Sequence, residues 1–456
     1  MKVFLTHAYF IKDDLKEQVI VKPYPPLGLL YVSAYLKKHN VDTQVFDTTF
    51  SEPSAQRTML LNNAPDVVGI YTNLMTKIEV IKLIKWVKAQ TELAHTKLVL
   101  GGPDLTYNIE NYLNEGADYL IIGEGEQTML TLVNALKNHT PITEVNGLAF
   151  FQDGKLIQTA PANKLKSLND LPWPDRDAIP LARYLDTWEE HHGIRSTNIN
   201  TQRGCPYTCK WCSTAVYGQS YRRRPAEDVV REIMHLKEQH GVNAIWFVDD
   251  VFTVSHKWLT ELHACFKRAQ LVMPFECITR AERLTNEVLD LLKEMGCYRI
   301  WIGAESGSQQ VIDAMDRRVD INHVSEMMVK TREKEMEAGT FVMVGYPNET
   351  LRDIRKTYAH LRKALPSEVT VTQTYPIKGT ALYHELEGRL QLPASWASST
   401  DREIKFKRTY SNAFYPFAIR YIMNGYYAKK YQAHPGKWLV HSLKSKAAYF
   451  MMLVVK

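Results

Sequence analysis

Cysteine is scarce in this chain: it occurs six times in 456 residues and nowhere before Cys205. Residues 1–204 therefore hold no disulfide framework, and Cys265, Cys277 and Cys297 stand singly, as small buried hydrophobes do. No run of eighteen apolar residues occurs, which argues against a membrane-spanning helix. The opening "MKVFLTHAYFIKDD" turns polar too early for a secretory h-region, and the two absences predict a cytoplasmic protein. Low-complexity segments and repeats of fixed period are also missing, so neither a disordered tail nor a solenoid is expected. What remains is 45% hydrophobic and 23% charged, as in ordinary globular domains, over a length that allows about three of them.

Acidic residues run out toward the end. Residues 401–456 hold eleven Lys/Arg against only Asp401 and Glu403, within a total formal charge of +6. Such a tail suits an anionic partner, and equally a solvated face on a small terminal domain.

Along residues 1–150 short β-branched runs ("KVFL", "TQVF", "DVVGIY", "KLVL", "DYLII") alternate with stretches of helical period such as 27–39 and 76–90. Strand alternating with helix predicts a doubly wound, Rossmann-like parallel sheet. Ligands of such sheets sit beyond the carboxyl ends of the strands. There the sequence places Tyr71, Thr72 and Asn73, then Gly101 and Gly102, then Gly123 and Glu124, with glycines that let backbone approach a ligand closely. Residues 151–195, with a hairpin-like start and Pro161, Pro172, Pro174 and Pro180, read as a connector. From 196 to 385 six strand-like runs again alternate with helices, predicting a partial (β/α)6 barrel whose active face lies at the strand ends. Residues 386–456 form a small, basic, mainly helical region.

The remaining three cysteines lie together in "RGCPYTCKWC", directly after the first strand of the second unit. Thiolates at this density select zinc or an iron–sulfur cluster. Closed structural zinc wants four ligands, and no second C-x2-C pair exists; a Cys3His site using His191 or His192 stays open, as does a [4Fe–4S] cluster with one iron left free.

"CPYTCKWC" resembles the C-x3-C-x-aromatic-C signature of the radical S-adenosylmethionine (SAM) superfamily, with Trp211 in the aromatic slot. The resemblance implies a [4Fe–4S] cluster on Cys205, Cys209 and Cys212, whose free iron is chelated by SAM. It further implies SAM contacts from Trp211, from Asp249 ending the second strand and Arg280 ending the third, from Glu305 and Ser306 in "GAESGS", and from Gly345 in "VGYPNET". An electron donor such as flavodoxin or ferredoxin is implied with them.

"PPLGLLYVSAYLKKHN" (25–40), "GGPDLTYN" (101–108), "IIGEGEQTML" (121–130) and "LNDLPWPDRDAI" (168–179) resemble the class of this superfamily with an N-terminal cobalamin-binding domain. The resemblance covers roughly residues 1–385. It assigns cobalamin to Tyr71, Thr72, Asn73, Gly101, Gly102, Gly123 and Glu124. The D-x-H-x-x-G motif that supplies a lower axial histidine is absent, so either cobalamin is held without a protein histidine or the domain has lost it. Methylthiotransferases, which need three further N-terminal cysteines, are set aside. The implied function is methyl transfer from methylcobalamin to an unactivated carbon or a phosphinate phosphorus, after hydrogen abstraction by a 5′-deoxyadenosyl radical. The alternative is a cyclase or rearrangement enzyme of the anaerobic porphyrin cyclase type. A third reading, zinc-stabilised nucleic-acid binding through Arg222, Arg223 and Arg224, is disfavoured, and a small-molecule substrate without nucleic acid is expected.

In the tail, Leu439, Leu443, Phe450 and Val454 recur at near-helical spacing beside Trp438, Lys444 and Lys446. Such a helix either packs on the barrel or lies on an anionic membrane and receives a hydrophobic substrate there.

Overall fold

A computed structural model describes residues 1–214 and 216–456. Its strands are β1 (Lys2–His7), β2 (Asp42–Phe46), β3 (Val67–Tyr71), β4 (Lys97–Gly101), β5 (Tyr119–Ile121), β6 (Leu148–Gln152), β7 (Lys155–Gln158), β8 (Ser196–Ile199), β9 (Gln202–Arg203), β10 (Arg222–Arg223), β11 (Ala244–Phe247), β12 (Phe275–Thr279), β13 (Cys297–Ile302), β14 (Glu337–Val344), β15 (Glu368–Gln373), β16 (Leu390–Gln391) and β17 (Lys405–Phe406). The chain divides into two compact units: residues 1–206, 213–244 and 393–403, and residues 207–212, 245–392 and 404–456.

The first unit is built on one seven-stranded sheet in the order β2-β1-β3-β4-β5-β6-β7. Its first five members are parallel. The reason lies in the period-two alternation of their side chains. Phe4, Val68, Ile70, Leu98 and Leu100 point into a core with Leu60, Ile84 and Tyr112, from the helices Pro53–Asn63, Lys77–Lys88 and Ile109–Asn114. Val3, Leu5, Val67, Val99 and Ile121 point the other way, toward Leu30 and Leu132 of the helices Leu27–Lys38 and Gly125–Asn138. Each such side chain, fully buried, stabilises by about 1.5–3 kcal/mol, so both faces must carry helices. The hairpin β6–β7 extends the sheet antiparallel. The order β2-β1-β3 reverses direction at β1/β3, the place where doubly wound sheets open a crevice.

The second sheet is a curled half-barrel of six strands, β8 and β11 to β15. Those of the second unit run β15-β14-β13-β12-β11, all parallel. Helices His256–Arg268, Asn286–Met295, Ile321–Glu333 and Leu351–Ala364 separate them. Their starts are written locally: Ser255 and Thr285 accept hydrogen bonds from the first turns, and Thr350 with Asp353 forms a capping box.

The chain closes on a helical hairpin, Phe414–Lys430 and Pro435–Val454. The second helix packs through Ser445, Ala448 and Met452, while Leu439, Leu443, Phe450 and Val454 stay exposed, so packing on the barrel does not cover that stripe. Among the described residues no helix is long and apolar enough to cross a membrane.

Candidate cofactor sites

Strand register sets the first site. His7 lies beside Tyr71, Tyr71 beside Gly101, and Gly101 beside Ile121, so the ends of four strands form one row. Next to that row is a cavity of about 250 Å3. Tyr71, Gly101, Gly102, Gly123 and Glu124 line it, together with apolar Leu5, Leu29, Val32, Ile70, Val99 and Met129. Glycines line it, and two of them let its walls pack closely. A Cβ on Gly69 would come within 2.6 Å of Leu5 and 3.2 Å of Met129, and Gly102, at φ +126°, would place one 2.1 Å from the Thr72 carbonyl oxygen. An isolated glycine inside an apolar strand is the signal that could have singled out Gly69 beforehand.

Thr72 and Asn73 are not among the lining residues. The Thr72 N–H donates to the Gly101 carbonyl at 2.7 Å. Asn73 Oδ1 accepts from the N–H groups of Met75 and Thr76, turning the chain into the helix Lys77–Lys88. They shape the loop from behind. No histidine lines the cavity among the described residues. His7 is buried with Nε2 2.8 Å from Asp47 Oδ1 and Nδ1 accepting from Tyr9, and exposed His39 bonds its own helix.

Below the glycine loops lies a buried ion network that no sequence pattern disclosed. Arg203 Nη1 donates to Glu124 at 2.9 Å and to Glu126 at 3.2 Å, and its Nη2 also meets Glu126. Arg222 holds the other oxygen of Glu124 at 2.5 Å. Burial opposes charge on Arg203; Glu126, Tyr217 and Glu124 outweigh it and raise the pKa above the ordinary arginine value. Arg224 is engaged likewise with Glu232 and Asp228, and Arg223 with Gln202. Each guanidinium of the triplet Arg222–Arg224 thus has a partner within the protein.

The cysteine loop begins two residues beyond Arg203. Gly204 adopts φ +83° where a Cβ would sit 2.6 Å from the Ser220 carbonyl oxygen, so only glycine fits. Cys205 and Cys209 are half-buried, Cys212 is exposed, and none forms a disulfide. The Cys212 N–H donates to the Cys209 carbonyl. In the second unit the loop is pinned by Lys210 N–H to the Met315 carbonyl, Leu382 N–H to the Lys210 carbonyl, and Thr208 Oγ1 to Asp316 at 2.7 Å. Trp211 packs with Met315, Tyr346 and Leu382, and its indole N–H is buried without a partner.

The strand ends of this unit gather charge around that loop. Arg280 stacks 3.9 Å from the Tyr207 ring centroid, donates to Cys209 Sγ at 3.4 Å and reaches the Arg317 carbonyl. Glu305, at φ +62°, is buried 3.9 Å from Arg317 Nε. Burial pushes its pKa up to about 7 against the pull of Arg317 and Arg280. Arg317 Nη1 is buried with no partner. Asp249 is buried two residues beyond the end of β11. Ser306 is fully buried and turned to Thr357 Oγ1 at 3.2 Å. Gly345 follows β14, with Arg408 and Tyr415 3.2 Å from where its Cβ would be. Sequence reasoning missed Arg317, Tyr207 and Arg408, whose roles arise only from tertiary neighbours.

Residues 18–133 match the B12 binding domain family and residues 199–361 the radical SAM superfamily. The chain belongs to the radical SAM superfamily, in the class with an N-terminal cobalamin-binding domain. It is 25% identical over 393 residues to an uncharacterized methyltransferase of Pyrococcus horikoshii, covering 84% of this chain and 83% of that one. It is 26% identical over 411 residues to the anaerobic magnesium-protoporphyrin IX monomethyl ester cyclase of Cereibacter sphaeroides, covering 86% and 64%. A structure of the cobalamin-dependent SAM radical enzyme OxsB with aqua-cobalamin and SAM bound superposes with a TM-score of 0.73 at 16% identity, over 85% of this chain and 60% of that one. At that identity the likeness is one of fold, and the chain spans three fifths of that structure's length.

A radical SAM domain works with a [4Fe–4S] cluster and SAM, and a B12-binding domain with cobalamin. The residues fit these groups. No three Cys, His or acidic side chains converge to hold a single metal ion among the described residues, and thiolates that each meet a different iron have no need to. The orphaned Arg317 donor, beside the Glu305 carboxyl, suits a ligand that carries both an amino and a carboxylate group, and the orphaned Trp211 indole N–H is a further donor behind the cysteine loop. The glycine-lined, largely apolar cavity, with no histidine among its described lining residues, suits a cofactor approached by backbone.

Proposed function

We propose that this radical SAM enzyme is a cobalamin-dependent methyltransferase acting on a small, hydrophobic molecule at an unactivated carbon or a phosphinate phosphorus. The observation that carries the reading is the glycine-lined cavity at the ends of β3, β4 and β5, in a chain that also bears the three-cysteine loop. When bound, the cofactors would supply the chemistry: one-electron reductive cleavage of SAM at the cluster and carriage of a methyl group on cobalamin. The chain's own part is to bind, orient and exclude water. Cys205, Cys209 and Cys212 hold the cluster; Trp211, Asp249, Arg280, Glu305 and Gly345 adjoin SAM; Tyr71, Gly101, Gly102, Gly123 and Glu124 take cobalamin. Residues 1–150 serve as the cobalamin domain, 151–195 as connector, 196–385 as radical SAM core and 386–456 as a basic, mainly helical C-terminal region. A flavodoxin or ferredoxin supplies the electron.

Cyclisation is the second reading. It is less favoured because the chain spans 64% of the cyclase relative but 83% of the methyltransferase relative. Product analysis separates the two. Methylation should consume two SAM per product and yield S-adenosylhomocysteine alongside 5′-deoxyadenosine, whereas turnover without S-adenosylhomocysteine would overturn the methyltransferase reading.

Cobalamin is expected to bind base-off without a protein histidine, because no described residue lining the cavity is a histidine. Electron paramagnetic resonance of the anaerobic cob(II)alamin form should show no superhyperfine splitting from an axial histidine nitrogen; such splitting would refute this binding mode.

A further inference from the structure

The helical hairpin at the end of the chain is built asymmetrically. Its first helix, Phe414–Lys430, packs through Phe414, Tyr415, Ala418 and Ile422 on Val342 and Val344 of β14, with Val369 and Val371 of β15 alongside. Its second helix, Pro435–Val454, lies on the first with one face only: Ser445, Ala448 and Met452 are buried, and Ser445 Oγ donates to the Tyr421 carbonyl at 3.0 Å. The opposite face is open, with Leu439 50%, Leu443 57%, Phe450 65% and Val454 62% exposed. At 3.6 residues per turn these four residues fall within one narrow stripe, diametrically across from the buried face.

A contiguous apolar stripe of this kind marks an interaction surface, and charge says which. Residues 404–456 contain ten Lys/Arg and no Asp or Glu; Lys444 and Lys446 sit on this helix, and both are exposed. A second copy docked face to face would bring the same cations together. An anionic surface complements them, and long lysine stems let apolar neighbours enter a bilayer while the ammonium groups stay at the headgroups. We propose that the open face of the helix Pro435–Val454 docks on anionic phospholipid membranes, lying in the interface rather than crossing it.

The same helix reaches the active face. Ser411 Oγ donates to the Val455 carbonyl, and Lys456 lies over the Tyr410 ring. Three residues before Ser411, Arg408 packs at Gly345 and donates to the Thr374 carbonyl at 2.7 Å. Gly345 and Thr374 directly follow β14 and β15. The membrane contact thus sits one short segment away from the strand ends, and the substrate class that follows is an amphiphile or apolar molecule drawn from the bilayer. That second statement rests on the methyltransferase reading; the docking itself does not.

The test uses the full chain with vesicles of equal parts phosphatidylglycerol and phosphatidylcholine, and with pure phosphatidylcholine. Co-sedimentation should occur with the anionic vesicles, weaken at high salt and be faint with the neutral ones. Leu443→Ser with Phe450→Ser should lower the vesicle partition coefficient roughly tenfold or more, and Lys444→Glu with Lys446→Glu should do so at low salt. These residues are exposed, so the variants should melt like the parent. An unbound parent chain, or a Leu443→Ser/Phe450→Ser protein that binds as well as the parent, overturns the proposal. So does concentration-dependent dimerisation that the double serine variant abolishes, because the face would then be a contact between copies. Binding needs neither cofactor nor substrate, so failure here leaves the methyltransferase reading standing, and absence of S-adenosylhomocysteine leaves the docking standing.

Discussion

Cys209→Ala should leave the protein without an intact cluster and unable to form 5′-deoxyadenosine, and Cys205→Ala or Cys212→Ala should do the same. Two thiolates cannot hold a cluster that three are needed to hold while one iron stays available for SAM. Cys209 carries a further load, since Arg280 donates to its sulfur at 3.4 Å, a contact of the kind that tunes cluster potentials. Cys265, Cys277 and Cys297 provide the control. All three are buried, and burial, with the neighbouring Cys297, pushes the Cys277 thiol well above its ordinary pKa, so it stays protonated and inert. Their alanine or serine variants should keep iron, sulfide and activity, at a stability cost of about 1–2 kcal/mol for a buried position. The checks are iron and sulfide analysis, the absorption spectrum and chromatography of the nucleoside product, all under anaerobic conditions. Undiminished 5′-deoxyadenosine from Cys209→Ala would sink the assignment.

Much of this was legible because strand ends announce themselves. β-branched runs followed at once by glycine or a polar residue fix both the parallel sheet and the edge where ligands gather, and Tyr71, Gly101, Gly123, Arg280, Glu305 and Gly345 all lie at such edges. The same signal does not separate a residue that faces the ligand from one that holds the loop. Asn73 spends its side chain on the turn before the next helix, and Ser306 on Thr357; both sit at strand ends, as Tyr71 and Glu305 do. Periodicity located the apolar stripe on the last helix but not its environment, because a stripe looks alike whether a partner covers it or not. Ion pairs were illegible altogether: Arg203 and Glu124 are separated by 79 residues, and nothing local to either names the other.

That pairing carries the second large effect. Arg203 is 2% exposed, with Glu124 and Glu126 at 6% and 5%, so Arg203→Met strands carboxylates that the fold has removed from water. Breaking a buried pair from one side typically costs about 3–5 kcal/mol, a large fraction of the about 5–15 kcal/mol that holds a domain together. Glu124 keeps Arg222, so the burden falls on Glu126. Arg203→Met combined with Glu126→Gln should therefore recover a good part of the loss, since a neutral amide needs no counter-charge. Glu124 lines the cavity and Cys205 is two residues beyond Arg203, so the single variant should also bind cobalamin more weakly and load its cluster less completely. Denaturant unfolding of the cofactor-free full chain measures the first effect, and a hydroxocobalamin titration the second. If Arg203→Met unfolds at the parent's denaturant midpoint, or if adding Glu126→Gln deepens the loss, the carboxylates are not stranded and the network does not join the glycine loop to the cysteine loop.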